Sequence, residues 1–165
     1  MLSLRVDTPP EWLDAVFADF DAFLVDHALC ERKASAMGMS LVAKYPDRTP
    51  LMEPLIEFAR EELEHFHIVY RLVAARGRTL VGDAPDEYVN ALRRLSRSGG
   101  DALLLDRLLV PGVVEARSCE RLALVAAALT DPELGAIYRD LVRAEARHHG
   151  LFFRLARELF PAAMV

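Results

Sequence analysis

The chain has little of what most structural classes require. Cysteine occurs twice in 165 residues, as Cys30 and Cys119, far apart and outside any C-x-x-C pair. Neither a disulfide framework nor a zinc ribbon is indicated. Period-two apolar alternation is nearly absent, which argues against a β-protein. Long apolar runs are missing too: "ALLLDRLLVPGVVEA" (102–116) is broken by Asp106, Arg107 and Pro111, well short of a membrane-spanning helix. The opening "MLSLRVDTPP" shows no charged-then-apolar signal pattern. Basic excess is also lacking, since 20 Lys and Arg face 25 Asp and Glu for a net charge of −5. That balance weighs against a nucleic-acid partner wherever the acids lie on the surface. The expectation is a cytoplasmic protein with no membrane association, and the sequence carries no marker of an oligomeric state.

Helix signals are plentiful. The composition is 53% hydrophobic and 27% charged, as in globular proteins, and the length suits one domain over residues 1–165. Thr8-Pro9-Pro10-Glu11 reads as a capping box with proline in the first turn. Thr49-Pro50 and Thr130-Asp131-Pro132-Glu133 each open a further apolar-periodic run. "KYPDRTP" and Gly77 close runs. These signals predict four long helices at roughly 20–44, 50–76, 101–129 and 132–159, with a short leading helix near 10–18. The first and second, and the third and fourth, are separated by a few residues, which predicts two antiparallel hairpins. Between the hairpins lies "GRTLVGDAPDEYVNALRRLSRSGG" (77–100), with a short helix near 86–97. An all-α chain of two hairpins joined by one long crossover has the connectivity of a ferritin-like four-helix bundle.

Residues 59–71, "AREELEHFHIVYR", place three glutamates and two histidines within seven positions. Glu62–His65 and Glu64–His67 are both Glu-x-x-His pairs. A third, Glu145–His148, lies in "RAEARHH" (143–149). Glu31 precedes Glu62 by 31 positions, and Glu115 precedes Glu145 by 30. Each hairpin thus offers one lone glutamate and one Glu-x-x-His at nearly equal separation, the ligand set of a carboxylate-bridged di-iron or di-manganese site.

The helical faces select the register. Glu62 is in phase with Leu55, Phe58, Ala59, Phe66, Val69, Leu72 and Val73, whereas Glu64 shares a mostly charged face with Glu57, Arg60, Glu61, Ile68 and Arg71. Glu62 and His65 are therefore expected inside, with Glu61, Glu64 and His67 toward water. Glu31, Glu115 and Glu145 also fall on apolar faces. Four buried carboxylates without compensation would cost several kcal/mol each, and two divalent cations would offset four of the five excess negative charges. Glu120 rivals Glu115 but breaks the matched separation. His27, one turn before Glu31, is placed either to hydrogen-bond a ligand carboxylate or to serve as a satisfied core histidine. Tyr138, two turns before Glu145, is near enough to donate at the metal site, though packing is its simpler role. Cys119 reads as a small core residue. Pro111-Gly112, inside the third run, should either kink the helix or break and restart it.

The segments "DHALCERKA" (26–34), "AREELEHF" (59–66), "LLLDRLLVPGVVEARSCER" (103–121) and "RAEARHH" (143–149) resemble, in the same order, the tRNA 2-methylthio-N6-isopentenyladenosine hydroxylases. The resemblance implies a ferritin-like non-haem di-iron monooxygenase that uses O2 as co-substrate to hydroxylate the prenyl side chain of a modified adenosine in tRNA. Carried over, the family's metal ligands fall on Glu31, Glu62, His65, Glu115, Glu145 and His148. Pro111 departs from the family pattern, and the chain is compact for the family. With no flavin, NAD or iron–sulfur signature, the two electrons per turnover are expected from an external donor, a reductase or ferredoxin. Arginines cluster at Arg71, Arg76 and Arg78 and at Arg139, Arg143 and Arg147. Arg93, Arg94 and Arg97 on the crossover helix are the candidate tRNA contacts. Other readings are a ferritin-like oxidase, peroxidase or ferroxidase acting on small substrates, and a non-enzymatic helical interaction protein. The absent C-x-x-C pairs disfavour a rubrerythrin-type peroxidase, and the second full Glu-x-x-His disfavours a ferritin.

Overall fold

The computed structural model describes residues 4–82 and 85–165. Residues 1–3, in the opening segment read for a leader, and 83–84, inside the crossover, lie outside the described residues. Among those described there are six helices and no strand: α1 (Pro10–Ala18), α2 (Phe20–Lys44), α3 (Thr49–Ala75), α4 (Glu87–Arg94), α5 (Gly100–Ala128) and α6 (Pro132–Leu159). They fall into two compact units. One is drawn from Pro10–Ala84, the other from Pro85–Val165 with the segment preceding Pro10.

In the first unit α2 and α3 form a hairpin. Asp19 separates α1 from α2 and caps α2, its carboxylate accepting the Ala22 N–H at 3.0 Å. Aromatic contacts lay α1 on α2: Trp12 meets Phe23 edge-on with ring centroids 6.2 Å apart, and Phe17 stacks on Phe20 at 5.6 Å. Helix α2 approaches α3 closely at Gly38, where a Cβ would lie 2.9 Å from the Phe58 ring and 3.1 Å from the Ala59 methyl. Only glycine allows this crossing without displacing Phe58. Ser35 adds a hydrogen bond from its hydroxyl to the Ala59 carbonyl at 2.7 Å.

The second unit pairs α5 with α6. Asp131 caps α6 by accepting the N–H groups of Glu133 and Leu134, and Pro132 fills the first helical position, where its missing N–H costs nothing. The close approach here is at Gly112, whose added Cβ would sit 2.9 Å from the Phe153 ring. His149 donates its Nδ1–H to the Gly112 carbonyl at 2.8 Å. Helix α5 runs unbroken through Pro111, so the expected alternative of a break and restart does not occur. Neighbouring packing holds the turn that lacks the proline N–H, and both Pro111 and Gly112 are buried.

Two cap expectations differ from the fold. Thr8 does not close a capping box with Glu11: its N–H and hydroxyl donate to Glu120 at 2.6 and 2.7 Å. Thr49 lies inside α3, which is capped at Arg48 without a side-chain hydrogen bond. In both cases the local signal marks the helix start correctly, but not the residue that caps it.

Candidate metal centre

On the α2–α3 hairpin, Glu31, Glu62 and His65 are buried. His65 follows Glu62 by one turn, so both project from the same face of α3. Its Nδ1 stands 3.4 Å from Glu62 Oε2 and 3.9 Å from Glu31 Oε2. His27, also buried, donates from Nε2 to Glu31 Oε1 at 2.6 Å, and the Phe23 ring stacks on its imidazole at 5.6 Å. Burial drives the Glu31 carboxyl up to about 7; His27 opposes that rise and the neighbouring Glu62 adds to it. Removing a carboxylate from water disfavours its charge, and a second carboxylate beside it adds repulsion. A bound cation would reverse both effects.

The α5–α6 hairpin repeats the arrangement. Glu115, Glu145 and His148 are buried, and His148 Nδ1 stands 3.9 Å from Glu115 Oε2, matching the distance between His65 and Glu31. Burial and the nearby Glu145 charge push the Cys119 thiol up. Its Sγ–H points at the Val142 carbonyl, 3.5 Å away, as suits a small core residue. Tyr138 is fully buried on α6.

The two hairpins differ one turn before their lone glutamates: α2 has His27 there and α5 has Pro111. Only Glu31 therefore has an imidazole at the preceding turn.

Glu62 and His65 on α3 form a buried Glu–His pair one turn apart, and Glu145 and His148 form the same buried pair on α6. Carboxylate oxygens and imidazole nitrogens together form a donor set suited to iron or manganese. A cluster of buried acids accumulates negative charge that divalent cations would balance, so the donor set fits a di-metal centre.

The sequence-predicted faces agree with these positions, with one correction. Glu64 and His67 are exposed, but Glu61 is half-buried rather than turned to water. Glu120, the rival of Glu115, is engaged elsewhere: it accepts from Thr8 and from Arg117 Nη1. Arg93, Arg94 and Arg97 are exposed. The Arg97 guanidinium, however, donates to both oxygens of Asp106, at 3.0 and 2.6 Å, and its backbone N–H adds a third bond. Arg97 thereby ties the segment after α4 to α5. Arg76 and Arg78 converge on Asp21. Sequence reasoning missed His149; its one available signal was a second histidine directly after the ligand position.

Comparison with known proteins supplies the context. The family model described as tRNA-(MS[2]IO[6]A)-hydroxylase (MiaE) matches residues 2–165. A Pseudomonas putida protein named tRNA 2-(methylsulfanyl)-N(6)-isopentenyladenosine(37) hydroxylase is 42% identical over 153 residues, covering 93% of this chain and 74% of that protein. A protein of the same name from Salmonella typhimurium is 25% identical over 205 residues, covering 94% and 76% respectively. Among solved structures, "Protein 43 with aldehyde deformylating oxygenase activity from Synechococcus" superposes with a TM-score of 0.93 at 40% identity, over 98% of this chain and 80% of that one. The fold is the ferritin-like helical bundle that the connectivity implied, and the chain belongs to the MiaE family of tRNA hydroxylases.

Proposed function

We propose that this protein is an O2-dependent di-iron monooxygenase that hydroxylates the prenyl side chain of 2-methylthio-N6-isopentenyladenosine in tRNA. The observation that carries the reading is the buried Glu-x-x-His pair on each hairpin, Glu62–His65 and Glu145–His148, in a chain of this family. Glu31 and Glu115 complete a set of six ligands for two metal ions, with iron preferred and manganese the alternative. Two bound irons would supply the activation of O2 and the one-electron steps that side chains cannot.

The chain's own residues do the rest. His27 holds one oxygen of Glu31 at 2.6 Å and so fixes the rotation of a carboxylate that would serve a bound metal. Phe58, Tyr138 and Phe152 are buried on the helices that carry the ligands and exclude water from the reacting groups. The net reaction places one oxygen atom of O2 in a C–H bond and reduces the other to water, consuming two electrons and two protons. A separate reductase or ferredoxin delivers the electrons. No helix among the described residues is long and apolar enough to cross a membrane. The proposed tRNA substrate supports a cytoplasmic location. Arg93 and Arg94 on α4 are contacts for the tRNA, whereas Arg97 acts through its hold on Asp106.

A second reading, oxidation of a small substrate at the same centre, draws on the likeness to the protein with aldehyde deformylating oxygenase activity. One experiment separates the two. Reduced, iron-loaded protein is given O2 with either tRNA bearing the prenylated adenosine or an aldehyde, and the products are analysed by mass spectrometry. A hydroxylated nucleoside supports the tRNA reading. Aldehyde consumption with an unchanged nucleoside supports the other.

A further inference from the structure

The outer face of α6 carries a stripe of arginines that the metal centre does not use. At 100° per residue, Arg139, Arg143, Arg147, Gly150, Arg154 and Arg157 fall within an arc of about 80°, and all six are exposed. From Arg139 to Arg157 the stripe is about 27 Å long at 1.5 Å per residue. No acid lies inside the arc. Asp140, which pairs with Arg143, and Glu158 stand at its margin. The outer face of α3 is different, mixing Glu57, Arg60, Glu64, His67 and Arg71. In a chain of net charge −5, this single-sign stripe runs against the overall balance of charge. At Gly150 an added Cβ would meet nothing within 4 Å, so the backbone is open to close approach midway along the stripe.

We infer that this face of α6 binds the sugar–phosphate backbone of the RNA substrate. Guanidinium groups grip phosphate oxygens in a planar, bidentate manner, and every cation of the stripe is arginine. An anionic membrane surface is the competing polyanion. A membrane-lying helix presents large apolar residues beside its cations, whereas none of the exposed large apolar side chains belongs to α6. Glu145 and His148 point from the opposite side of the same helix. The stripe therefore anchors the backbone away from the reacting group and does not line the pocket. It sets how tightly RNA is held, not how fast the bound nucleotide reacts.

The inference rests on the proposed tRNA substrate, and the test keeps the two separable. Arg154→Gln/Arg157→Gln and Arg139→Gln/Arg143→Gln double variants are compared with the wild type for binding of prenylated tRNA between 50 and 200 mM KCl, and for hydroxylation kinetics. Each lost phosphate contact lowers the salt slope by about 0.7 to 0.9. Each double variant should therefore bind about tenfold more weakly with a slope reduced by about 1.4 to 1.8. KM should rise in proportion, while kcat and iron content stay within twofold. Wild-type affinity and slope in both variants, with the wild type still hydroxylating tRNA, would overturn the inference alone. Variants that lose binding to phosphatidylserine vesicles but keep tRNA affinity would assign the stripe to a membrane and also overturn it. A wild type that neither binds nor hydroxylates the tRNA removes the substrate reading, and the inference falls with it.

Discussion

His27 Nε2 lies 2.6 Å from Glu31 Oε1, one helical turn away on α2 and buried with it. Imidazoles and carboxylates just outside a metal's own ligands govern how those ligands turn, and losing one costs 10- to 100-fold in metal affinity. His27→Ala should therefore weaken Fe(II) or Co(II) binding by that factor with the helical content intact. Titration followed by circular dichroism and metal analysis checks it. An unchanged metal affinity would make His27 a packing residue only.

The choice between Glu115 and Glu120 gives a sharper contrast. Glu115 is buried beside His148, whereas Glu120 holds Thr8 and Arg117. Glu115→Gln should lose at least half of the bound metal, and Glu120→Gln should retain it while lowering the melting temperature. Metal analysis of the two purified variants settles the assignment.

Three glycines in long helices predict opposite signs. Gly38→Ala and Gly112→Ala drive a methyl to 2.9 Å from the Phe58 and Phe153 rings, an overpacking that costs roughly 1–3 kcal/mol. Gly150 faces open space on α6, so Gly150→Ala should stabilise by roughly 0.5–1 kcal/mol through helix propensity alone. Denaturant unfolding of the three variants measures both directions.

Acid should loosen the contacts made by Thr8 and Arg97. Burial pushes the Glu120 carboxyl up, but hydrogen bonds from Thr8 and Arg117 outweigh it and hold the group below its ordinary 4.5. Arg97 holds Asp106 below its ordinary 3.8. A carboxyl depressed in the folded state contributes stability above its unfolded value and loses it as pH falls through the folded one. The stability contributed by these two carboxylates should hold down to about pH 5 and then decline. The melting temperature of Glu120→Gln should already be lowered at neutral pH, with its curve converging on the wild type in acid.

These contacts also mark where sequence reasoning ended. The helix limits were legible because prolines, Asp131 and the "KYPDRTP" stop act within a few residues of the ends they set. Glu62 and His65 were legible because a buried face repeats every 3.6 residues, and Leu55, Phe58 and Val69 repeat with them. Thr8 was misread since its partner, Glu120, lies 112 positions away, beyond any local pattern. Arg97 read as a candidate tRNA contact because its hold on Asp106 depends on how the chain enters α5. Pro111 read as a possible break because helix propensity weighs a missing N–H but not the packing around it. His149 was invisible because its partner is a backbone carbonyl on another helix.

The most direct test of the account is the iron stoichiometry of the anaerobic Fe(II)-loaded protein after removal of excess metal. Two matched sets, each of one lone glutamate and one Glu-x-x-His, predict two irons per chain, falling by half or more in Glu145→Ala. Less than about one iron per chain, or full occupancy in that variant, would contradict the di-metal centre on which the proposed hydroxylation depends.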